Sequence, residues 1–305
     1  MFDWEVRAQN GRATIPDGHI EEYMNSVAII GTGLMGTDIA FASAAAGFQV
    51  YLYDIDADRA AAALDRIKKR FSRYADSARL DAGRAESSVK NLHSCKDLKD
   101  AARGECVIEC VVEDLGIKQA VFEQLDHICR PDAVLATNTS CISITEIASA
   151  TRRPESVIGL HFMNPAHIMK LVEVIPGIAT TRETVEMAKS FLKKLGKVFV
   201  ESKDYPGFLL NRMLVPMINE AIYLLYEGAG TAESIDTVMK LGLNLPMGPL
   251  ALADMIGLDV LLDVIEEMHR GYSDAKYRPC PLHKKYVAAG YLGKKSGRGF
   301  FIYND

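Results

Sequence analysis

The chain has 305 residues, 49% of them hydrophobic and 25% charged, with a net charge of −5 at neutral pH. A chain of this length is longer than a typical domain with a single hydrophobic core, so we expect two domains. No dense block of lysine and arginine indicates a nucleic-acid partner, and no run of about eighteen apolar residues indicates a membrane span.

The six cysteines are scattered along the chain, and only Cys106 and Cys110 lie close together in sequence. No second pair completes the ligand set of a zinc site, so we predict no metal centre. Cysteines in this pattern are typical of reduced, buried thiols. We therefore expect a cytoplasmic protein.

Residues 1–25 contain the only tryptophan, Trp4, together with five acidic residues. They lack the apolar core of a secretory signal, and they are too acidic for a transit peptide. We interpret them as an N-terminal extension that precedes the first domain.

Short apolar runs alternate with helical patterns from residue 26 to about residue 200. This alternation is typical of an α/β protein with a parallel sheet covered by helices. The predicted strands are residues 26–30, 49–53, 106–112, 133–137, 156–162, 170–175 and 197–202, and the predicted helices between them include residues 34–46, 56–75 and 181–195.

From Pro206 onward the pattern is helical, with apolar residues at helical spacing, for example Ile218 and Ile222. We place the domain boundary within the sequence KDYPG. Residues 26–205 then form one domain, and residues 206–305 form a second, all-helical C-terminal domain. The helices predicted in the second domain are residues 208–227, 231–241, 249–270 and 282–290.

Three glycines stand between the first predicted strand and the first predicted helix, in the sequence GTGLMG. The first permits a tight turn, the second lets the backbone approach a pyrophosphate, and the third lets the helix pack on the strand. An acidic residue after the second strand would bind the adenosine ribose, which favours NAD over NADP. We therefore predict a Rossmann-type NAD-binding domain with extra strands. Its predicted cofactor-binding residues are Gly31, Thr32, Gly33, Leu34, Met35, Gly36 and Asp54.

His161 ends one predicted strand, and Glu173 lies inside the next. If the loop at residues 163–169 reverses the chain, the two strands run antiparallel and the two side chains can meet. A carboxylate beside an imidazole fixes its tautomer and stabilises the imidazolium formed on proton uptake. The pair therefore predicts a general base, with a structural histidine and a strand-edge glutamate as the alternative. His167 lies in the same loop.

Eight motifs follow one another from residue 31 to residue 303, and together they resemble one family. They are GTGLMG (31–36), VVED (111–114), TNTSCISITEIA (137–148), GLHFMNP (159–165), KLVEVI (170–175), KDYPGFLLNRML (203–214), LGLNLPMGPLALADMIGLDV (241–260) and GKKSGRGFFIY (293–303). With them the sequence resembles the short-chain L-3-hydroxyacyl-CoA dehydrogenases, which include the 3-hydroxybutyryl-CoA dehydrogenases.

The resemblance implies NAD-dependent oxidation of an (S)-3-hydroxyacyl-CoA to the 3-oxoacyl-CoA, and the reverse reduction, with short-chain thioesters expected. It implies that His161 is the catalytic base and Glu173 its partner. It implies that Ser140 contacts substrate and nicotinamide, and that Asn211 orients the substrate from the second domain. It implies that Asn164 contacts both the cofactor and the substrate. It also implies that Glu113, Lys118 and Lys295 contact the cofactor.

Two further expectations come from the family. Its members bind the phosphates of CoA through basic residues after the second strand, for which Lys69, Arg70 and Arg73 are the candidates here. Its helical domain forms the dimer contact, so the resemblance implies a homodimer whose small-molecule partner is an acyl-CoA thioester.

Three other interpretations share parts of this pattern. A 3-hydroxyisobutyrate or 6-phosphogluconate type of dehydrogenase needs a catalytic lysine in a helix and a glycine-rich substrate motif, and we find neither. An L-gulonate type of sugar-acid dehydrogenase carries a different loop after the motif histidine. A non-catalytic NAD-binding protein of the same fold would be indicated by loss of His161, Glu173 or Ser140, and all three are present.

Overall fold

The computed structural model describes residues 24–303. The predicted N-terminal extension, with Trp4, lies outside the described residues except for its last two positions. Within the described part, an eight-stranded sheet is followed by a group of packed helices.

The sheet has the strand order β3-β2-β1-β4-β5-β6-β7-β8. The first six of these are mutually parallel, β7 is antiparallel to β6, and β8 is parallel to β7. The strands are β1 (Ser26–Ile30), β2 (Gln49–Tyr53), β3 (Leu92–Ser94), β4 (Cys106–Glu109), β5 (Val134–Thr137), β6 (Val157–Phe162), β7 (Leu171–Pro176) and β8 (Val198–Glu201).

The sheet is covered on both faces, which explains why its central strands are almost continuously apolar. In β1, Val27 and Ile29 belong to one buried cluster, while Ala28 and Ile30 belong to another on the opposite face. The helices of this part are α1 (Leu34–Ala45), α2 (Ala57–Asp76), α3 (Ala82–Lys90), α4 (Leu98–Ala101), α5 (Leu115–Ile128), α6 (Ile144–Ala148) and α7 (Arg182–Lys194).

The C-terminal part buries a third apolar cluster among its own helices, which includes Ile218, Ile222 and Leu261. Cys141, from the loop after β5, also belongs to that cluster and joins it to the sheet. The helices of this part are α8 (Leu210–Tyr226), α9 (Ala232–Gly242), α10 (Pro249–Ile256), α11 (Leu258–Tyr272) and α12 (Pro281–Ala288). No helix within residues 24–303 is long and apolar enough to cross a membrane.

These elements confirm the predicted fold class, and they differ from the predicted elements at three places. The single helix predicted over residues 249–270 is two helices, because Gly257 has φ 110 and breaks the helical path between α10 and α11. The strand predicted over residues 106–112 ends at Glu109, and the short elements α3, β3 and α4 were not predicted. Their brevity explains why the apolar pattern missed them.

Candidate active site

The glycine loop lies where the strand order reverses, between β1 and its neighbours β2 and β4, at the carboxyl ends of the strands. Gly31 has φ 97, and a Cβ there would lie 2.7 Å from the carbonyl oxygen of Cys110. A Cβ on Gly36 would collide with the carbonyl oxygen of Gly31, whereas one on Gly33 would meet nothing within 4 Å. Gly31 and Gly36 therefore lie where any side chain would clash with the backbone, whereas Gly33 leaves open space for a ligand.

The N-terminus of α1 faces this open space without a side-chain cap. Its first N–H groups therefore remain available to an anion, and the helix dipole favours negative charge there. Asp54 follows β2 and accepts hydrogen bonds from the backbone N–H (2.8 Å) and the hydroxyl (2.9 Å) of Thr32. Burial raises the pKa of Asp54, but the hydrogen bonds from Thr32 and Asp56 outweigh it and hold the pKa below its usual range. The loop and the ionised carboxylate fit a dinucleotide.

The antiparallel pairing of β6 with β7 sets His161 directly opposite Glu173. The imidazole Nδ1 lies 2.8 Å from a carboxylate oxygen of Glu173, and both side chains are buried. With Nδ1 hydrogen-bonded to the carboxylate, Nε2 is the ring nitrogen left for a substrate. The predicted juxtaposition of the two side chains is thus present, because adjacent strands in this register bring opposite residues together.

Glu173 has a second partner that the sequence did not predict. Its other oxygen accepts hydrogen bonds from the backbone N–H groups of Leu209 (2.9 Å) and Leu210 (3.0 Å), at the start of α8. Burial raises the pKa of Glu173, but the His161 side chain and then these two N–H groups outweigh it and hold the pKa below its usual range. One carboxylate therefore links the imidazole to the first helix of the C-terminal part.

Phe208 is a residue of the site that sequence reasoning missed. It is 2% exposed, its ring lies 5.7 Å from that of His161, and its φ is 48. A bulky residue in the left-handed region is uncommon and is held there by its surroundings. Gly207, with φ 78, precedes it. The sequence PGFLLN contains both residues, but only the packing of the fold shows that the Phe208 ring lies next to the imidazole of His161.

Ser140 and Asn211 are brought together from the two parts of the chain. The side-chain amide of Asn211, in the first turn of α8, donates a 3.0 Å hydrogen bond to the backbone carbonyl of Ser140. The side-chain oxygen of Asn138 accepts a 3.0 Å hydrogen bond from the backbone N–H of Phe162. Asn138 thereby fixes the chain next to His161.

Glu113 holds the loop that carries Ser140. Its carboxylate accepts from the Thr139 hydroxyl (2.6 Å) and from the N–H of Ser140 (2.7 Å), and it lies 3.3 Å from Nζ of Lys118. Lys118 is 1% exposed and lies 2.8 Å from Glu109, a carboxylate buried within β4. Burial lowers the pKa of Lys118, but the charges of Glu109 and Glu113 outweigh it and hold the pKa above its usual value.

Glu109 was not predicted as a site residue, although an acid inside an apolar strand is a detectable signal. Its carboxylate also accepts from the Thr137 hydroxyl (2.7 Å) and from the N–H of Val111 (2.6 Å). Lys118, which the resemblance implies as a cofactor contact, is thus paired with two carboxylates, Glu109 and Glu113, next to the loop that carries Ser140.

Of the remaining predicted residues, Asn164 and Lys295 lie at the surface. Asn164 is exposed and precedes Pro165 through a cis peptide bond. Lys295 forms a 2.6 Å ion pair with Asp259. Of the basic residues after β2, Arg70 forms an ion pair with Asp38 at 2.6 Å. Within residues 24–303, no group of three or more His, Cys, Asp or Glu side chains is arranged to hold a metal.

Comparison with known proteins gives two family matches that together span nearly all described residues. Residues 26–205 match the model of the 3-hydroxyacyl-CoA dehydrogenase NAD binding domain, and residues 207–303 match that of the 3-hydroxyacyl-CoA dehydrogenase C-terminal domain.

Individual proteins agree with these matches. A probable 3-hydroxybutyryl-CoA dehydrogenase of Bacillus subtilis is 50% identical over 92% of this chain and 98% of its own. A 3-hydroxybutyryl-CoA dehydrogenase of Bradyrhizobium diazoefficiens is 47% identical over 92% and 96%. The crystal structure of (S)-3-hydroxybutyryl-CoA dehydrogenase from Ralstonia eutropha superposes with a TM-score of 0.90 at 40% identity, covering 93% of this chain and all of that one.

Proposed function

The chain belongs to the 3-hydroxyacyl-CoA dehydrogenase family, and we propose that it works on short-chain thioesters, oxidising (S)-3-hydroxybutyryl-CoA and reducing acetoacetyl-CoA. The general activity is NAD-dependent oxidation of a 3-hydroxyacyl-CoA to the 3-oxoacyl-CoA. The observation that carries the proposal is the buried His161–Glu173 pair in a chain so similar to 3-hydroxybutyryl-CoA dehydrogenases over almost its whole length.

His161 acts as the general base in this proposal. Oxidation of a secondary alcohol removes the O–H as a proton and the C–H as a hydride, so one protein group must accept the proton. Nε2 of His161 takes it, and the Glu173 carboxylate at Nδ1 stabilises the imidazolium that results. Bound NAD supplies the hydride acceptor. In reduction, His161 starts protonated and returns the proton to the ketone oxygen.

Ser140 and Asn211 orient the substrate in this proposal. Their side chains would hold the reacting oxygen and the thioester carbonyl, so that the reacting carbon stays in place for hydride transfer. The hydrogen bond between Asn211 and Ser140 keeps the two groups together across the two parts of the chain. We propose that residues 26–205 are the cofactor domain, and that residues 206–305 are the helical domain that completes the site.

The cofactor contacts proposed are the glycine loop, Asp54, Glu113, Asn164 and Lys295. The open space at Gly33 and the ionised Asp54 support the first two of these contacts. Glu113 is 37% exposed at its side chain and accepts a hydrogen bond from the N–H of Ser140, so it lies at the surface of the loop that carries Ser140.

A series of straight-chain (S)-3-hydroxyacyl-CoA thioesters of increasing length tests the substrate proposal. We expect kcat/KM with NAD to be highest for the four-carbon acyl group and to fall as the chain lengthens. A maximum at a medium or long chain would contradict short-chain specificity while leaving the family activity intact. Turnover of L-gulonate, with none of any thioester, would instead favour a sugar-acid dehydrogenase.

We also propose a homodimer formed through the helical domain. Several large apolar side chains of α8 and α9 and of the segment after α9 are exposed, including Val238 (67%), Leu241 (80%) and Leu243 (64%). Beside them lies an open apolar groove of about 500 Å³, lined by residues such as Met217 and Met239. Exposed apolar surface of this extent is typical of an interface between protein chains, and a second copy would cover it.

Light scattering after size exclusion tests the dimer. Val238→Glu should give a monomer, because it would bury a charge in the contact. Ile178→Glu is the matched control, since Ile178 is 89% exposed on the sheet-containing part and should not alter the mass. A monomeric wild-type protein would contradict the proposal.

The cytoplasm is the proposed location. All six cysteines are free, and five of them are buried. Fully reduced cysteines are typical of a reducing compartment. Cell fractionation with the enzyme activity as the marker checks this, and activity confined to the periplasmic or culture fraction would contradict it.

A further inference from the structure

A buried carboxylate outside the predicted site joins three elements of the fold. Asp38, on α1, is 1% exposed at its side chain. One of its oxygens lies 2.6 Å from Nη1 of Arg70 on α2, and the other lies 2.7 Å from Nδ1 of His167 in the loop between β6 and β7. We refer to Asp38, Arg70 and His167 as the Asp38 cluster.

Phe41, one turn after Asp38 on α1, supports the cluster on its apolar side. The Arg70 guanidinium lies 5.2 Å from the Phe41 ring centroid, and the His167 ring meets the same ring edge-on at 5.8 Å. Both partners of Asp38 are mostly buried, with 20% and 12% of their side chains exposed. In such a site, hydrogen bonds to a charged group are stronger than at the surface, and an unpaired carboxylate is costly.

The cluster connects the cofactor loop with the loop that follows the catalytic histidine. Asp38 lies two residues after Gly36, the last glycine of the cofactor loop, and His167 lies three residues after Asn164. Lys197 holds the other side of the second loop, where its Nζ donates to the carbonyl oxygens of Ala166 and Met169.

We infer that Asp38 is a positioning residue, which through His167 fixes the loop of residues 163–170 against α1 and so sets Asn164 relative to the cofactor. This inference rests on the proposed function, in which Asn164 contacts cofactor and substrate. His161 is fixed separately, by Glu173 and by the strand register. Disrupting the cluster should therefore weaken ligand binding more than it slows the chemical step.

Hydrogen exchange measures the loop directly and needs no turnover. The N–H groups of Ile168 and Met169 both donate to the carbonyl of Pro165, so their exchange reports on loop order. In His167→Leu we expect these amides to exchange at least about tenfold faster, while the amides of β6 and β7 do not change. His167→Asn keeps a donor for Asp38 and should remain close to wild type.

His93→Leu is the matched control. His93 also makes a 2.7 Å side-chain hydrogen bond, to Gln49, but on β3 at the far edge of the sheet. Its loss should leave the loop amides unchanged. Unchanged loop exchange in His167→Leu, or equal acceleration in His93→Leu, would overturn the inference.

Kinetics and cofactor binding give the second test. His167→Leu should raise KM for acetoacetyl-CoA and the dissociation constant for NADH by about fivefold and leave kcat within about twofold. The dissociation constant for NADH should rise little more in Asp38→Asn combined with His167→Leu than in His167→Leu alone, because Asp38 acts on the loop through its contact with His167. Equal falls in kcat and kcat/KM with normal NADH binding would overturn a positioning role. If wild type does not reduce acetoacetyl-CoA, the proposed function fails, and the exchange and NADH-binding results still decide the inference.

Discussion

The two halves of the candidate site are held in different ways. His161 and Glu173 face each other across paired strands, are both buried, and are further fixed by Asn138, Phe208 and the start of α8. Ser140 and Asn211 lie on a loop and on a helix end, and one 3.0 Å hydrogen bond joins them. The base half thus belongs to the sheet, whereas the orienting half depends on how the helical part meets the sheet.

In the proposed function, this difference separates the pair that accepts the proton from the groups that orient the substrate. A proton acceptor must keep its tautomer and its charge partner through every turnover. A fixed strand register keeps the two side chains opposite each other. Groups that hold a substrate must admit and release it, so contact across two parts of the chain suits them. Glu173 joins the halves, since one oxygen contacts His161 and the other contacts the N–H groups of Leu209 and Leu210, just before Asn211.

The largest effect is expected from His161→Gln in the base half. Loss of the proton acceptor should lower kcat by about 10³-fold, or roughly 4 kcal/mol of barrier. NADH affinity, measured by fluorescence titration, should stay within about twofold of wild type because Gln is similar in size. Retention of most of the turnover would rule out His161 as the base, and the proposed division into a base half and an orienting half would then be wrong.

Lys118→Met tests whether Lys118 stabilises the part of the fold that carries Ser140, through its ion pairs with Glu109 and Glu113. The substitution removes the only cation that is paired with the buried carboxylate of Glu109 in the described structure, and it should cost about 3 kcal/mol of unfolding free energy in urea denaturation. Adding Glu109→Gln should recover much of that loss, since the buried charge is then gone. A large fall in NADH affinity without loss of stability would instead identify Lys118 as a direct cofactor ligand.

Glu173→Gln weakens the base half without emptying it. We expect kcat to fall by about 10²-fold, because a neutral amide cannot stabilise the imidazolium. The control is Glu201→Gln in β8, which removes a surface carboxylate paired with Arg182 and should leave kcat unchanged. Similar losses in the two variants would show that the effect is a general one on the sheet.

The stability of Glu173→Gln relative to wild type should depend on pH. The pKa of Glu173 is lower in the folded protein than its ordinary value of 4.5. Its ionised form therefore stabilises the fold fully above that value, and the contribution is lost as the pH falls through the lower folded pKa. The free energy of unfolding in urea should be higher for wild type than for Glu173→Gln at neutral pH, and the two values should converge in acid. A constant difference across that range would contradict this origin.

The smallest effect is expected from Asn211→Ala in the orienting half. Loss of the bridge to Ser140 should reduce kcat/KM by about tenfold, or roughly 1.4 kcal/mol, mainly through KM. Asn219, on the same helix, binds the backbone of Arg278 and Cys280 within the helical part. Asn219→Ala is thus a control that removes comparable hydrogen bonds away from the site, and an equal kinetic effect would deny Asn211 a specific role.

The sequence predicted the parts of this site that have a periodic or motif signature. The glycine loop and the antiparallel His161–Glu173 pair could be found because their spacing follows directly from strand geometry. Glu109, Phe208 and the Asp38 cluster could not, because their partners are brought together only by packing. Arg70 illustrates this, since its position after β2 makes it a candidate contact for the CoA phosphates, whereas its ion pair with Asp38 is visible only in the structure.

The most direct test of the account is oxidation of NADH by wild-type protein with acetoacetyl-CoA, compared with free acetoacetate and with NADPH. The family activity is on a CoA thioester, and in our proposal the carboxylate of Asp54 contacts the cofactor, where it would disfavour a 2′-phosphate. We predict rapid loss of NADH absorbance with acetoacetyl-CoA, and little with free acetoacetate or when NADPH replaces NADH. Tight NADH binding without turnover of any acyl-CoA would contradict the account, because the His161–Glu173 pair would then serve another substrate.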